Sequence, residues 1–157
     1  MEMVLMVGMP GCGKSTYARE RLAGHLRISR DEIRGDPAEV DRLAWRYRRE
    51  VHPKNKKPKK VRRAEYILVS DALRGGRDIV IDGTNTTRSK RELNIRLARE
   101  HGALVRAVFF TDHRAAMKRN EERAGKERVP DKSMRRILEN LEPPSVSEGI
   151  DEISVYA

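Results

Sequence analysis

The sequence predicts an α/β fold, a mostly parallel central sheet of four to five strands flanked by helices, in a single domain over residues 1–157. Three observations carry this expectation. Short apolar runs alternate with amphipathic stretches of helical period, the order that builds a parallel sheet with helices on its faces. The first run ends in a glycine-rich turn that leads straight into a helical segment. A chain of 157 residues also has room for one core and no second catalytic domain.

Taken in order, residues 3–7 form the first strand, and 14–24 the first helix. A short strand at 26–28 is the fifth candidate for the sheet. Helical patterns follow at 37–50 and 61–74, then a strand at 78–81, a helix at 88–101, a strand at 104–110, helices at 112–124 and 131–141, and a last strand at 153–156. Three of the strands are too apolar for alternation and belong in the middle of the sheet, covered on both sides. Gly75-Gly76, Gly102, Gly125 and Pro143-Pro144 stand where helices must stop. The Lys/Pro tract at 53–60 reads as a loop between two helices.

Composition narrows the setting. Cys12 is the one cysteine, so no intrachain disulfide can form, as a reducing cytoplasm requires. The apolar start, Met1 to Val7, is broken by Glu2 and ends in a glycine turn, which makes it a buried strand and no signal peptide. No apolar run approaches the length of a membrane span. The net charge of +10 is concentrated: residues 42–63 hold eleven Lys/Arg against the single acid Glu50, while the remainder balances. A basic stripe on a neutral body points to a polyanionic partner.

Gly8-Met9-Pro10-Gly11-Cys12-Gly13-Lys14-Ser15 fits the phosphate-binding pattern G-x-x-x-x-G-K-[ST] in its required context of strand and helix. Gly11, Cys12, Gly13, Lys14, Ser15 and Thr16 would cradle ATP, with Lys14 on the β/γ oxygens and Ser15 on Mg²⁺. Cys12 fills a variable position. A guanine-reading N-K-x-D is missing, since Asn55-Lys56-Lys57 is followed by Pro58. The pattern as a whole predicts a P-loop kinase.

On the acceptor side, Ser29 and Glu32 have capping-box spacing, which places Asp31 and Arg34 on one face of a helix. Asp31 could accept a hydroxyl proton while Arg34 holds an acceptor phosphate; equally, Asp31 could merely favour the helix dipole. Asp82, at a strand end in "VIDGTNTT", could hold a Mg²⁺ water, hold an acceptor group, or cap the turn. The D-x-D-G-T nucleophile of haloacid-dehalogenase phosphatases is not met, because its first acid would fall at Val80. Arg119 and Arg123, one turn apart, either form an arginine lid over the transferring phosphoryl group, joined by Lys126 and Arg128, or lie on a solvated face. Trp45 sits away from the apolar stripe of Val40, Leu43, Ala44, Tyr47 and Val51, among Arg42, Arg46 and Arg49. It either stacks bases of a single strand or packs under a neighbouring loop.

Together "GMPGCGKSTYARE", "SRDEIR", the "TN" of "DGTN", "KRNEERAGKERVP" and "EPPSVSEGIDEI" resemble, in order and spacing, the 5′-kinase domain of bacteriophage polynucleotide kinase-phosphatase and its bacterial end-healing relatives. The resemblance implies transfer of the ATP γ-phosphate, with Mg²⁺, to the 5′-OH of DNA or RNA. Lys14 and Ser15 would bind phosphates and metal, Asp31 would be the general base, Arg34 would grip the 3′-side phosphate, and Arg123 would be the lid arginine. The polynucleotide surface would comprise Arg34, Trp45, Arg46, Arg49, Lys54, Lys56, Lys57 and Asp82. The family's strand-end acid falls at Gly83 here, its phosphatase half has no counterpart, and the loop at 52–60 matches nothing in it. A separate phosphatase or ligase would supply the other steps of repair. The alternative is a kinase of a small hydroxyl compound such as an antibiotic, nucleoside or nucleotide sugar. A third reading, a nucleotide-dependent nucleic-acid binder without transfer, is disfavoured by Asp31 beside the P-loop.

Overall fold

Because β-strand side chains alternate, an apolar strand covered on both faces must feed two cores, and the central strand does so here. In the computed structural model, which describes residues 1–51 and 58–157, β1 (Glu2–Val7) sends Met3, Leu5 and Val7 into one core and Val4 and Met6 into another. The other strands are β2 (Leu26–Ser29), β3 (Ile79–Asp82), β4 (Leu104–Phe110) and β5 (Glu152–Tyr156). They form one sheet in the order β2-β3-β1-β4-β5, and every pairing is parallel. The fold is thus the predicted α/β sandwich, with five strands and a sheet that is parallel throughout.

The helices are α1 (Lys14–Arg21), α2 (Arg30–Arg34), α3 (Pro37–Glu50), α4 (Lys60–Arg74), α5 (Arg88–Glu100), α6 (His113–Glu122) and α7 (Asp131–Glu139). The larger core lies between the sheet and α3, α4 and α5, where Leu43, Tyr47, Ile67, Leu73, Ile95 and Leu97 are buried. Ala18 and Leu22 of α1 cover the opposite face over Val80, Val108 and Phe110. A third cluster, Met9, Ala116 and Met134, joins the P-loop to α6 and α7. None of the helices among the described residues is long and apolar enough to cross a membrane.

The capping box expected at Ser29 does not form. Ser29 does precede α2, but its side chain makes no cap hydrogen bond, and Glu32 is drawn instead to the guanidinium of Arg27. The charged partner outcompetes a neutral backbone amide.

Two polar residues lock the carboxyl ends of the strands. Asn85, in the left-handed region at φ 45° and fully buried, donates from Nδ2 to the Met6 carbonyl at 2.8 Å, tying the end of β3 to that of β1. Asparagine tolerates this backbone where most residues do not. Arg91 is 0% exposed and forks onto Glu148 at 2.8 and 2.7 Å, while its Nη1 also donates to the carbonyls of Asn85 (2.8 Å) and Glu142 (3.0 Å). The segment after α7 is thereby strapped to the "DGTN" loop. Burial pushes the Glu148 carboxyl up, yet the hydrogen bonds and charge of Arg91 outweigh it and hold the group below the ordinary glutamate value.

Removing one partner of such a pair leaves a buried charge unanswered. Arg91→Met should lower stability by about 3–5 kcal/mol, and Arg91→Met combined with Glu148→Leu should recover part of the loss. Since the folded-state pKa of Glu148 is depressed, its contribution is complete above the ordinary glutamate value and disappears as pH falls through the lowered one. Urea unfolding across this range reads both effects; a shift under about 1 kcal/mol for the single variant would mean the strap is held elsewhere.

Candidate active site

A parallel sheet gathers the carboxyl ends of its strands on one edge, so the loops after β1, β2 and β3 converge. The loop after β1 is the glycine-rich one. Gly11 (φ +85°) and Gly13 (φ +94°) adopt backbone that side chains disfavour, and α1 begins at once with Lys14. Lys14 is buried, and its Nζ donates to the carbonyls of Gly8 (2.9 Å) and Met9 (2.6 Å) and to Cys12 Sγ (3.4 Å). Burial lowers its pKa, Cys12 and Asp82 oppose this, and nearby Arg123 reinforces it. Cys12 is partly buried, packed on two of the apolar clusters.

Ser15 Oγ donates to Asp82 Oδ2 at 2.9 Å, and Arg27 Nε reaches the same oxygen at 2.7 Å. Asp82 is buried at the end of β3, against Ser15 of the P-loop. Ser29 and Asp82 are register partners across β2 and β3, which sets Arg27 within reach two residues earlier on the same strand face. Sequence reasoning did not single out Arg27. Its one signal is a charged residue inside an otherwise apolar strand.

Gly11, Cys12, Gly13, Thr16, Arg119 and Arg123 line a cavity of about 420 Å³, together with Tyr17, Phe110 and Tyr156. Arg119 Nη1 donates to the Gly11 carbonyl at 3.2 Å. Arg123, in extended backbone just after the last turn of α6, lines the same cavity as Arg119. Asn120, buried, holds the chain beyond Arg123 by exchanging hydrogen bonds with the Val129 backbone at 2.7 and 2.9 Å. The aromatic wall, with Tyr17 and Tyr156 5.2 Å apart edge to face, was not foreseen, because Tyr156 comes from the far end of the chain.

Asp31 and Arg34 share a face of α2 as expected, with Arg34 Nη1 donating to Asp31 Oδ1 at 2.8 Å. The Asp31 side chain is 94% exposed, and its Oδ2 makes no hydrogen bond among the described residues.

The basic stripe is altered by folding. Arg46, expected to hold nucleic-acid phosphates, is instead clamped by Asp71 and Glu50, which raise its pKa further. Arg42 pairs with Glu39, Lys60 with Asp41, and Arg62 with Glu65. All but Glu50 of these acids lie outside residues 42–63, so a count within that window overstates the free charge. Trp45 is 55% exposed, and the guanidinium of Arg49 lies 4.8 Å from its ring centroid. Lys54, Lys56 and Lys57 lie outside the described residues.

The AAA domain family matches residues 3–144, the P-loop, the sheet through β4 and the arginine-bearing segment together. The chain belongs to this family. It is 33% identical over 125 residues to 6-phosphofructo-2-kinase/fructose-2,6-bisphosphatase 1 of Rattus norvegicus and to that of Bos taurus, a match covering 70% of the chain. The chain spans about a quarter of the length of these curated relatives. Its fold is also that of a gluconokinase from Sinorhizobium meliloti 1021 (TM-score 0.61, 20% identity, 98% of this chain and 81% of that one). Chaetomium thermophilum Kti12 in complex with ADP-AlF3 is similar as well (TM-score 0.59, 22% identity, 99% and 88%). The relatives named as kinases here are therefore sugar and sugar-phosphate kinases in name, and none carries the phage polynucleotide kinase label.

Gly11 offers a direct test of the loop. A Cβ there would stand 2.9 Å from the Ala116 carbonyl oxygen, on backbone already at φ +85°. Gly11→Ala should cost about 1–3 kcal/mol in strain and clash, lower the melting temperature, and weaken nucleotide binding. Calorimetric melting with and without nucleotide measures both; unchanged values would mean that the loop adopts another conformation in solution.

Proposed function

We propose that this protein is an ATP-dependent kinase that phosphorylates a hydroxyl of a small-molecule acceptor. The observation that carries the reading is the contact of Ser15 Oγ with Asp82 Oδ2 at 2.9 Å beside a buried Lys14. A hydroxyl and a carboxylate, both hard oxygen donors, suit Mg²⁺, which takes only one or two protein ligands in such sites and the remainder from phosphates and water. Mg²⁺ bound there would neutralise charge on the β- and γ-phosphates. Lys14 would release the loop carbonyls for the same oxygens, and Arg27 would keep Asp82 oriented. Arg119 and Arg123 would meet the donor phosphates from α6, and the aromatic wall would receive the base.

In the transfer itself the acceptor oxygen forms a bond to the γ-phosphorus as the bond to the bridging β–γ oxygen breaks. The hydroxyl proton passes to Asp31, whose Oδ2 is open while Oδ1 is held by Arg34. The small acceptor is favoured over a polynucleotide because Arg42, Arg46 and Lys60 are already answered by carboxylates. The kinase names of the relatives agree with it. A second reading, a 5′-hydroxyl kinase of DNA or RNA, rests on Trp45, whose exposed ring under Arg49 could stack a base.

Incubation with γ-labelled ATP, Mg²⁺ and a mixture of sugars, sugar phosphates, nucleosides and 5′-OH oligonucleotides should label a small molecule. Label in the oligonucleotide alone would establish the second reading, and no label in any acceptor would remove phosphotransfer. With the labelled acceptor, Asp31→Asn should lower kcat by roughly 10² to 10⁴ with ATP binding nearly intact. Arg123→Ala should lower turnover by about 10² to 10³, with poor rescue by lysine, whose point charge lacks the planar fork. Single-turnover rates near wild type for either variant would reassign that role.

A further inference from the structure

Beyond the carboxyl ends of β2 and β3 lies a charge arrangement that the transfer site does not account for. Arg30 begins α2, Arg62 lies in the first turn of α4 and Lys90 in the first turn of α5. Arg30 and Arg62 close on one buried carboxylate, Glu65, and Lys90 stands beside Arg62. Arg62 Nη1 donates to Glu65 Oε2 at 3.1 Å, and Arg30 Nε lies 3.4 Å from the same oxygen. Asn94 Nδ2 takes the other oxygen at 3.1 Å. Arg62 also donates to the Lys90 carbonyl at 3.1 Å, while Lys90 itself has no carboxylate within 4 Å of its ammonium among the described residues. Arg34 faces the group too, but it is paired with Asp31.

Three cations against one carboxylate leave a surplus of two positive charges in a partly buried place. Burial, and the mutual repulsion of these cations, hold Arg30 and Lys90 below their ordinary pKa values. The sequence adds to the strain. Both α4 and α5 carry cations and no acid in their first turns, the reverse of what the helix dipole favours. Folding would remove such a cluster by pairing, as it does for Arg42, Arg46 and Lys60, unless the missing charge arrives from outside.

The cluster adjoins the loop that follows Asp82. Arg30 Nη2 donates to Asn85 Oδ1 at 3.3 Å and would lie 3.0 Å from a Cβ at Gly83, the residue after Asp82. We propose, resting on the kinase reading above, that Arg30, Arg62 and Lys90 seat a phosphomonoester carried by the acceptor, so that the substrate is a small phosphorylated alcohol whose free hydroxyl is presented to the P-loop. A dianion cancels the surplus of two. A carboxylate or a phosphodiester, with one charge, leaves half of it standing. Two guanidiniums and an ammonium also match the oxygens of a tetrahedral phosphate.

Phosphate binding can be read without turnover. With the P-loop saturated by Mg²⁺ and a non-hydrolysable ATP analogue, calorimetric titration with phenyl phosphate should give one site per chain, and dimethyl phosphate should bind at least tenfold more weakly. Lys90→Met should weaken phenyl phosphate at least tenfold and leave analogue affinity within twofold. Glu65→Gln, which removes the internal counter-charge, should strengthen it, an effect that misfolding cannot imitate. Equal binding of the two esters, or no response to either variant, overturns the seat. If phenyl phosphate binds as described but no acceptor is ever labelled, the seat stands and the kinase reading falls; if neutral alcohols are labelled as fast as their phosphate esters, the seat falls alone.

Discussion

The carboxylate of Asp82 is buried at the end of a central strand, where an ion without partners would be costly to maintain, and the surrounding elements are disposed to answer it. Ser15 arrives from the P-loop and Arg27 from the neighbouring edge strand, both on the same oxygen. The parallel sheet makes this possible, because β1, β2 and β3 all end on one side. An antiparallel arrangement would send one of the three groups to the opposite edge. The charge at Asp82 therefore couples sheet topology to the position of the phosphate loop.

That position is held from behind by uncharged groups. Gly8 N–H donates to the Thr84 carbonyl at 2.9 Å, and Asn85 bridges β3 to Met6, so the loops after β1 and β3 cannot separate without losing buried hydrogen bonds. Arg91 extends the same brace outward to Glu142 and Glu148, near the carboxyl end of the chain. Stability and site geometry share these residues. A change at Arg91 would be felt at the "DGTN" loop although its side chain reaches no part of the phosphate cradle.

Much of the fold is legible in the sequence, because it follows from local patterns. Every strand and helix expected between residues 3 and 156 has its counterpart, with shifts of a residue or two at most ends. The P-loop was legible for the same reason. Polar partnerships between distant segments were not: Asp82 with Arg27, Arg91 with Glu148, and Glu65 with Arg30 join residues more than thirty apart, and spacing along the chain carries no trace of them. The Ser29–Glu32 box failed on this account. Its spacing was right, but a guanidinium across the turn was the stronger partner for Glu32.

The basic stripe illustrates the same limit in electrostatic form. Net charge in a window of sequence measures a field only if the counter-charges are also in that window. Helix packing brings Asp71 to Arg46, and the i−3 neighbour Glu39 lies just outside the window that contains Arg42. What distinguishes Arg30, Arg62 and Lys90 is that the same packing leaves them in excess. They were inconspicuous in the sequence, being scattered over sixty residues of it, whereas Arg42 and Arg46 of the conspicuous stripe on α3 are answered. A ligand is recognised by charge that the fold leaves unpaired, and in this protein that charge lies beside the strand ends where an acceptor hydroxyl would have to be presented to the phosphate loop.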